Sequence, residues 1–112
     1  MPGNRKKLIE LFIGNISNAI AHEIILACVN EKEVASYYQE EVDNSMRISR
    51  AYREKINPVD RTFSKEDIEY IRNKISSRVM AELVSRVSKG YKIDFTLIDA
   101  FVEKSLKDCA VS

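Results

Sequence analysis

The sequence predicts an all-α protein, in which four helices form a bundle. Apolar residues recur at intervals of three and four along most of the chain, and no segment is a convincing strand. Only three Gly and two Pro are present, so little of the chain is left for turns. A chain of 112 residues is long enough to build one hydrophobic core. We therefore expect a single helical domain over residues 1–112.

The first helix is predicted from about Lys6 to Val29, and it is apolar on two sides. Its broad face consists of Ile9, Ile13, Ile16, Ile20, Ile24 and Ala27. A smaller patch of Leu11, Ile25 and Val29 lies well round the helix. A helix of this kind sits in the centre of a bundle or faces a second subunit. We therefore predict a homodimer or larger homo-oligomer in which this helix carries the self-association.

Glu23 places a carboxylate in the middle of the broad apolar face of the first helix. The residues three and four positions away are Ala19, Ile20, Leu26 and Ala27. Because burying an unpaired carboxylate is costly, such a group finds a partner or its pKa rises. Arg72 lies near the axis of the apolar stripe of the third helix. We expect Glu23 and Arg72 to be buried polar residues, with Glu23 paired to an Arg or a Tyr hydroxyl across helices.

A second helix is predicted to begin near Asn30, whose side chain suits a helix start, and to run to about Lys55. Its apolar stripe is populated by small and amphipathic side chains, namely Ala35, Tyr38, Val42, Ser45, Ser49, Tyr52 and Ile56. Asn57 and Pro58 end the helix, because the residue before a proline is pushed out of the helical region. This face is expected to pack in a more polar way than the first helix.

The start of the third helix carries the clearest signal in the chain. Ser64 is a good capping residue, with Asp67 three positions on, and Phe63 and Ile68 occupy the two positions of a hydrophobic staple. A regular stripe then follows, consisting of Ile68, Ile71, Ile75, Val79, Leu83 and Val87. Gly90 is predicted to end the helix in the left-handed conformation.

A fourth helix is predicted to begin near Asp94. Its apolar positions are Leu97, Ile98, Phe101, Val102, Leu106 and Cys109. A long helix over Ser64–Lys89, then a short link and a shorter helix, is also the order of elements in a histone-like arrangement. We keep a histone-like long central helix with flanking helices as the alternative fold, by analogy of helix lengths alone.

The composition favours some classes of protein over others. With 18 basic and 17 acidic side chains the formal net charge is +1, which gives no electrostatic case for a dedicated nucleic-acid or membrane-surface protein. No uninterrupted apolar run approaches the roughly 20 residues of a membrane span. Cys28 and Cys109 are too few for a disulfide framework and are expected to be free thiols. We therefore expect a cytoplasmic protein without a membrane partner.

Catalytic and metal-binding signatures are not found in the sequence. His22 is the single histidine, and it belongs to no H-E-x-x-H or Glu-x-x-His pattern. No glycine-rich phosphate loop and no nucleophile elbow is present. The sequence therefore predicts neither an enzyme nor a cofactor or metal site, and His22 is expected at the surface or in an interface.

The second helix carries a mixed-charge face formed by Tyr37, Arg47, Arg50 and Arg53. Arg and Tyr are favoured anchor residues at protein interfaces. The predicted function is a small intracellular interaction or scaffolding module, which acts through self-association and through a protein partner at this face. The alternative is a nucleic-acid-associated protein that uses the same basic face with its interleaved aromatic residues.

Overall fold

The computed structural model describes residues 2–28, 32–57 and 62–111, and within these ranges it contains helices and no strand. The four α-helices are α1 (Pro2–Cys28), α2 (Lys32–Ile56), α3 (Lys65–Val87) and α4 (Ile98–Asp108). A 3₁₀ turn over Phe95–Leu97 precedes α4. The predicted all-α class with four helices is confirmed.

The helix α1 is the central element, since it packs against each of the other three helices. Asn18 contacts Ser45, and four residues further along α1 the ring of His22 contacts Tyr38, so α2 runs antiparallel to α1. In contrast α3 runs parallel to α1, because Arg5 pairs with the first turn of α3. The helix α4 packs on both α3 and α1. The observed central helix is thus α1, whereas the histone-like alternative required α3.

The hydrophobic core is built around the broad face of α1. Side chains with no exposed surface include Phe12, Ile13, Ile16, Ile20, Ile24, Ile71, Ile75 and Leu83. The placement of Ile25 in a self-association patch is wrong, because Ile25 is also fully buried within the single chain. Leu11 remains 36% exposed. Val29 lies outside the described residues. The chain's own helices therefore cover most of α1.

The ends of α3 follow the predicted signals. The Ser64 hydroxyl accepts a hydrogen bond from the backbone amide of Asp67 at 3.1 Å, so the predicted cap is confirmed. At the other end Gly90 adopts φ +98°, and the amide of Tyr91 donates to the carbonyl oxygen of Arg86 at 3.2 Å. This bond satisfies a carbonyl group that the last helical turn leaves free.

The start of α4 lies later than predicted, at Ile98 rather than near Asp94. The Asp94 carboxylate accepts a hydrogen bond from the backbone amide of Thr96, which closes the 3₁₀ turn before the α-helix begins. For α2, the predicted cap Asn30 lies outside the described residues, and the helix ends at Ile56 as the Asn57-Pro58 pair predicts.

Candidate interaction surface on the third helix

The helix α3 has a covered face and an uncovered face. Its covered face is formed by Ile71, Ile75, Val79 and Leu83, which are fully buried against the rest of the chain. Six exposed residues lie along the outward side, here called the outer stripe of α3: Tyr70, Asn73, Ser77, Met80, Val84 and Val87. Residues at these alternating intervals of three and four share one face of a helix. Val87 was predicted as the last member of the buried stripe, and that placement is wrong because the residue is exposed.

The outer stripe is the main apolar surface among the described residues. Seven large apolar side chains are exposed in the described part of the chain, and four of these seven belong to the outer stripe. Met80 is 44% exposed, Val84 is 53% exposed and Val87 is 42% exposed. These three residues lie on successive turns of α3, so they form a continuous patch instead of scattered apolar spots. A contiguous patch of this kind is typical of an interaction site.

The two edges of the outer stripe carry opposite charges near its N-terminal end. Glu69 lies on one edge and Lys74 on the other, and both are exposed. The Lys74 ammonium lies 5.9 Å from the centroid of the Tyr70 ring. The Tyr70 hydroxyl donates a hydrogen bond to Glu10 of α1, and this bond raises the pKa of Tyr70. The bond to α1 therefore fixes the position of the Tyr70 side chain, while part of the residue stays exposed.

Most of the remaining edge positions of the outer stripe are small. Those with exposed surface are Ser76, Ala81 and Ser88, and the fourth position is Leu83, which is buried in the core of its own chain. A helix with small residues beside an apolar stripe can approach another helix closely. The apolar pattern of α3 in the sequence is dominated by its more regular buried stripe, so the outer stripe was not predicted. The spacing of Met80, Val84 and Val87 is the signal that identifies it.

The residues predicted to form a mixed-charge face on α2 do not form one continuous basic surface. Tyr37 is 62% exposed and packs edge-on against Tyr38. Arg47 and Arg50 are exposed, and Arg47 donates a hydrogen bond to Asn44. Glu40, Asp43 and Glu54 are exposed on the same side of the helix. The outward side of α2 therefore carries both signs of charge.

Placing Arg53 on that exposed face is wrong, because only 2% of the residue is exposed. Its guanidinium lies 4.6 Å from the centroid of the Phe63 ring and donates to the carbonyl oxygen of Ala110. It also donates to the carbonyl oxygen of Asn57. Burial lowers the pKa of Arg53. Arg53 thus joins the end of α2 to the segment before α3 and to the turn after α4.

The predicted burial of Glu23 and Arg72 is also corrected. Glu23 and Arg72 are partly buried rather than buried. Arg72 forms a salt bridge with Glu103 of α4, with 2.5 Å between Nε and Oε1. Among the described residues Glu23 has neither a hydrogen bond nor an ion pair. Burial raises the pKa of the Glu23 carboxyl, and Lys104 lowers it by a smaller amount.

A polar cleft of about 330 Å³ lies between α1 and α3. Its lining consists of Gly14, Ser17, Asn18, Arg78, Ala81 and Glu82. Ser17 is 5% exposed, and its hydroxyl has no hydrogen-bond partner within the described structure. The cleft is partly open, so water can reach the lining groups. We assign it no ligand.

One turn beyond the cleft along α1 lies His22, which is 6% exposed. Its ring centroid lies 4.9 Å from that of Tyr38, whose hydroxyl accepts a hydrogen bond from Arg86. Burial lowers the pKa of His22, and the charge of Arg86 lowers it further. The predicted surface or interface position for His22 is wrong, since Tyr38 and the helices around it cover the ring.

Two further classes of site bear on the described residues. No group of three or more His, Cys, Asp or Glu side chains that would hold a metal ion occurs in the parts of the chain that the structure describes. The segment Asn4–Cys28 of α1 is long and apolar enough to cross a membrane by length and composition. The core helix of a soluble protein meets the same criterion. In this structure 56% of the most apolar 18-residue stretch of α1 is buried.

Comparisons with known proteins assign no family. No protein-family model, no curated protein and no solved structure matches this chain.

Proposed function

We propose that this protein is a small helical interaction module, which acts by binding through the outer stripe of α3. The observation that supports the proposal is the continuous exposed patch of Met80, Val84 and Val87 on a helix whose other face is anchored in the core. Burying the exposed part of each such side chain stabilises a complex by roughly 1 kcal/mol. A partner that covers the outer stripe therefore gains several such contributions against the cost of association.

Association is proposed to take place through α3 and not through α1. The sequence predicted self-association through α1, but the Ile25 side chain of that helix is enclosed by its own chain. The exposed apolar residues of α3 supply an uncovered helix face in its place. Homo-oligomerisation and a cytoplasmic location remain part of the proposal, and the two free cysteines are consistent with a reducing compartment.

A photocrosslinking experiment tests the proposed function. A photoreactive amino acid is introduced at position 84 in the outer stripe, and at position 48 in a matched control. Ile48 is the control because it is 40% exposed on α2, away from the outer stripe. We expect irradiation in the cells that produce the protein to give a discrete protein adduct from position 84 and none from position 48. The variant Met80→Glu should abolish the adduct.

The control variant for that experiment is Ile48→Glu, which introduces the same charge on α2. Both variants should keep the helical circular dichroism spectrum of the parent protein, because both positions are exposed. If the yield of adduct at position 84 does not exceed that at position 48, the outer stripe is not a binding surface and the proposal fails.

The nucleic-acid alternative depends on Tyr37, Arg47 and Arg50, since Arg53 is buried. Acidic residues share that side of α2, so we do not favour this alternative. It is tested by the salt dependence of oligonucleotide binding, because phosphate contacts weaken steeply as salt is added. Binding that falls in this way, and that is lost in Arg47→Ala, would favour the alternative.

A further inference from the structure

We infer that the outer stripe of α3 binds the same stripe of a second copy, with the two α3 helices parallel across a twofold axis. This inference rests on the proposed function, because it names the partner of the same surface. Two independent features of α3 support it, namely the spacing of the stripe and the placement of its flanking charges.

The outer stripe has the spacing of a seven-residue repeat. Tyr70, Ser77 and Val84 are each seven residues apart, and each is followed three residues later by Asn73, Met80 or Val87. This alternation of three and four is the spacing that lets two helices pack side by side in a left-handed pair. The stripe is about 27 Å long, given a rise of 1.5 Å per residue.

The flanking charges favour a parallel arrangement. Glu69 immediately precedes the first position of the repeat, and Lys74 follows five residues later on the other edge. In a parallel pair, the residue just before a first position of the repeat in one helix faces the residue five positions later in the other helix. Glu69 of each copy therefore lies opposite Lys74 of the other copy, so the twofold axis gives two ion pairs.

An antiparallel pair centred on the same stripe lacks these ion pairs. Each edge of α3 then meets the same edge of the other copy, so Glu69 faces the edge of Ser76 and the buried Leu83, and Lys74 faces the edge of Ala81 and Ser88. Neither Glu69 nor Lys74 forms a salt bridge elsewhere within the described residues, so both charges are available to a partner. The other edge residues, Ser76, Ala81, Leu83 and Ser88, are uncharged, so they introduce no charge repulsion between the copies.

A second copy fits this surface because the surface is complementary to itself. One apolar stripe with an acid on one edge and a base on the other matches its own copy after a twofold rotation. The polar Asn73 meets Asn73 of the other copy in the parallel arrangement. A polar residue at one such position fixes the register of paired helices.

Cysteine crosslinking tests the orientation of the pair. In a background with Cys28→Ser and Cys109→Ala, the variants Asn73→Cys and Val87→Cys are prepared separately. Each residue faces itself only in a parallel pair, so we expect each variant alone to form a disulfide-linked dimer under mild oxidation. An antiparallel pair instead gives a crosslink only when Asn73→Cys is mixed with Val84→Cys, and that result would overturn the inference.

Charge exchange tests the pairing without any change of cysteine. Sedimentation of Glu69→Lys and of Lys74→Glu is measured at low salt and at protein concentrations up to several hundred micromolar. Each single variant should weaken dimerisation by about tenfold, because it replaces two ion pairs by two repulsions. The double exchange should return the affinity to within roughly twofold of the parent. Glu40→Lys on α2 is the matched control and should change nothing.

The two proposals fail in different ways. A parent protein that stays monomeric at every concentration, while position 84 still crosslinks to a different protein, overturns the second copy as partner and keeps the proposed function. Absence of any adduct at position 84 overturns both. Equal affinity of the parent and Glu69→Lys overturns the charge pairing and with it the parallel arrangement.

Discussion

Glu23 and His22 are neighbours on α1 whose surroundings differ from those that the sequence predicts. Adjacent residues on a helix point about 100° apart, so the two side chains enter different environments. His22 lies beneath Tyr38, whereas Glu23 faces the side on which Lys104 and Asp108 act on it. The apolar neighbours of Glu23 correctly indicated a cost of burial, which appears as a raised pKa. They did not indicate whether Glu23 has a partner, because that depends on which residues of the neighbouring helices lie beside it.

His22 should make the stability of the protein depend on pH below about 6.5. Burial lowers the pKa of His22 in the folded state, so the unfolded chain binds more protons between that lowered pKa and 6.5. Stability is therefore fully present above pH 6.5 and falls as the pH drops below it, until the folded pKa is passed. Urea unfolding at a series of pH values measures this directly.

The matched variant for that prediction is His22→Gln, which keeps a polar side chain but does not titrate. Its unfolding free energy should lose the part of the pH dependence that lies just below 6.5. An identical slope in the parent and the variant would show that His22 is not responsible.

At the scale of helices, the elements with local end signals could be predicted best. Ser64 and Gly90 specify the two ends of α3 by side-chain chemistry and by backbone conformation, both of which are local. The start of α4 was placed too early, because the Asp94 side chain closes a 3₁₀ turn as readily as it caps an α-helix.

Removal of the cap should weaken α3. The variant Ser64→Ala leaves the amide of Asp67 without its side-chain acceptor, so we expect the free energy of unfolding to fall by about 1 kcal/mol. Thermal unfolding followed by circular dichroism measures the change. The control is Ser36→Ala at an exposed position within α2, which should not destabilise the protein, since alanine has the higher helix propensity.

The outer stripe of α3 illustrates what an apolar pattern leaves undecided within one helix. Both faces of α3 carry apolar residues at helical spacing, and periodicity alone does not say which face the chain covers. The structure places Ile75 and Val79 inside and Met80 and Val84 outside. On α3 an exposed apolar face was therefore not predicted. On α1 the reverse occurred, since Ile25 was predicted to lie on a surface and is buried.

At the scale of the whole molecule, the burial of Arg53 is the feature that sequence reasoning could least predict. Its partners include the carbonyl oxygen of Ala110, which lies 57 residues away along the chain. No local pattern predicts that a backbone carbonyl of the final turn will meet a guanidinium of α2. The predicted exposed face on α2 therefore wrongly included Arg53.

The two thiols should report on opening of the folded chain. Burial raises the pKa of Cys109 to about 11, and the residue is 4% exposed. Cys28 is partly buried at the end of α1. We expect a thiol reagent at pH 8 to modify Cys28 first, and Cys109 only at the rate at which the core opens, as measured by mass spectrometry over time.

In urea that unfolds the protein, both thiols should react at similar rates, which provides the control. Modification of Cys109 in the native protein as fast as that of Cys28 would contradict the enclosed position of Cys109 between α4 and α2.

The central position of α1 has a consequence for biosynthesis. The ribosome makes this most apolar of the four helices before any of the helices that cover it, and α4, which completes its enclosure, follows α2 and α3. At roughly 5–20 residues per second, the newly made helix waits for several seconds before its last neighbour emerges. During that interval the nascent chain exposes the apolar surface of α1, so chaperones that bind exposed apolar segments have time to bind it.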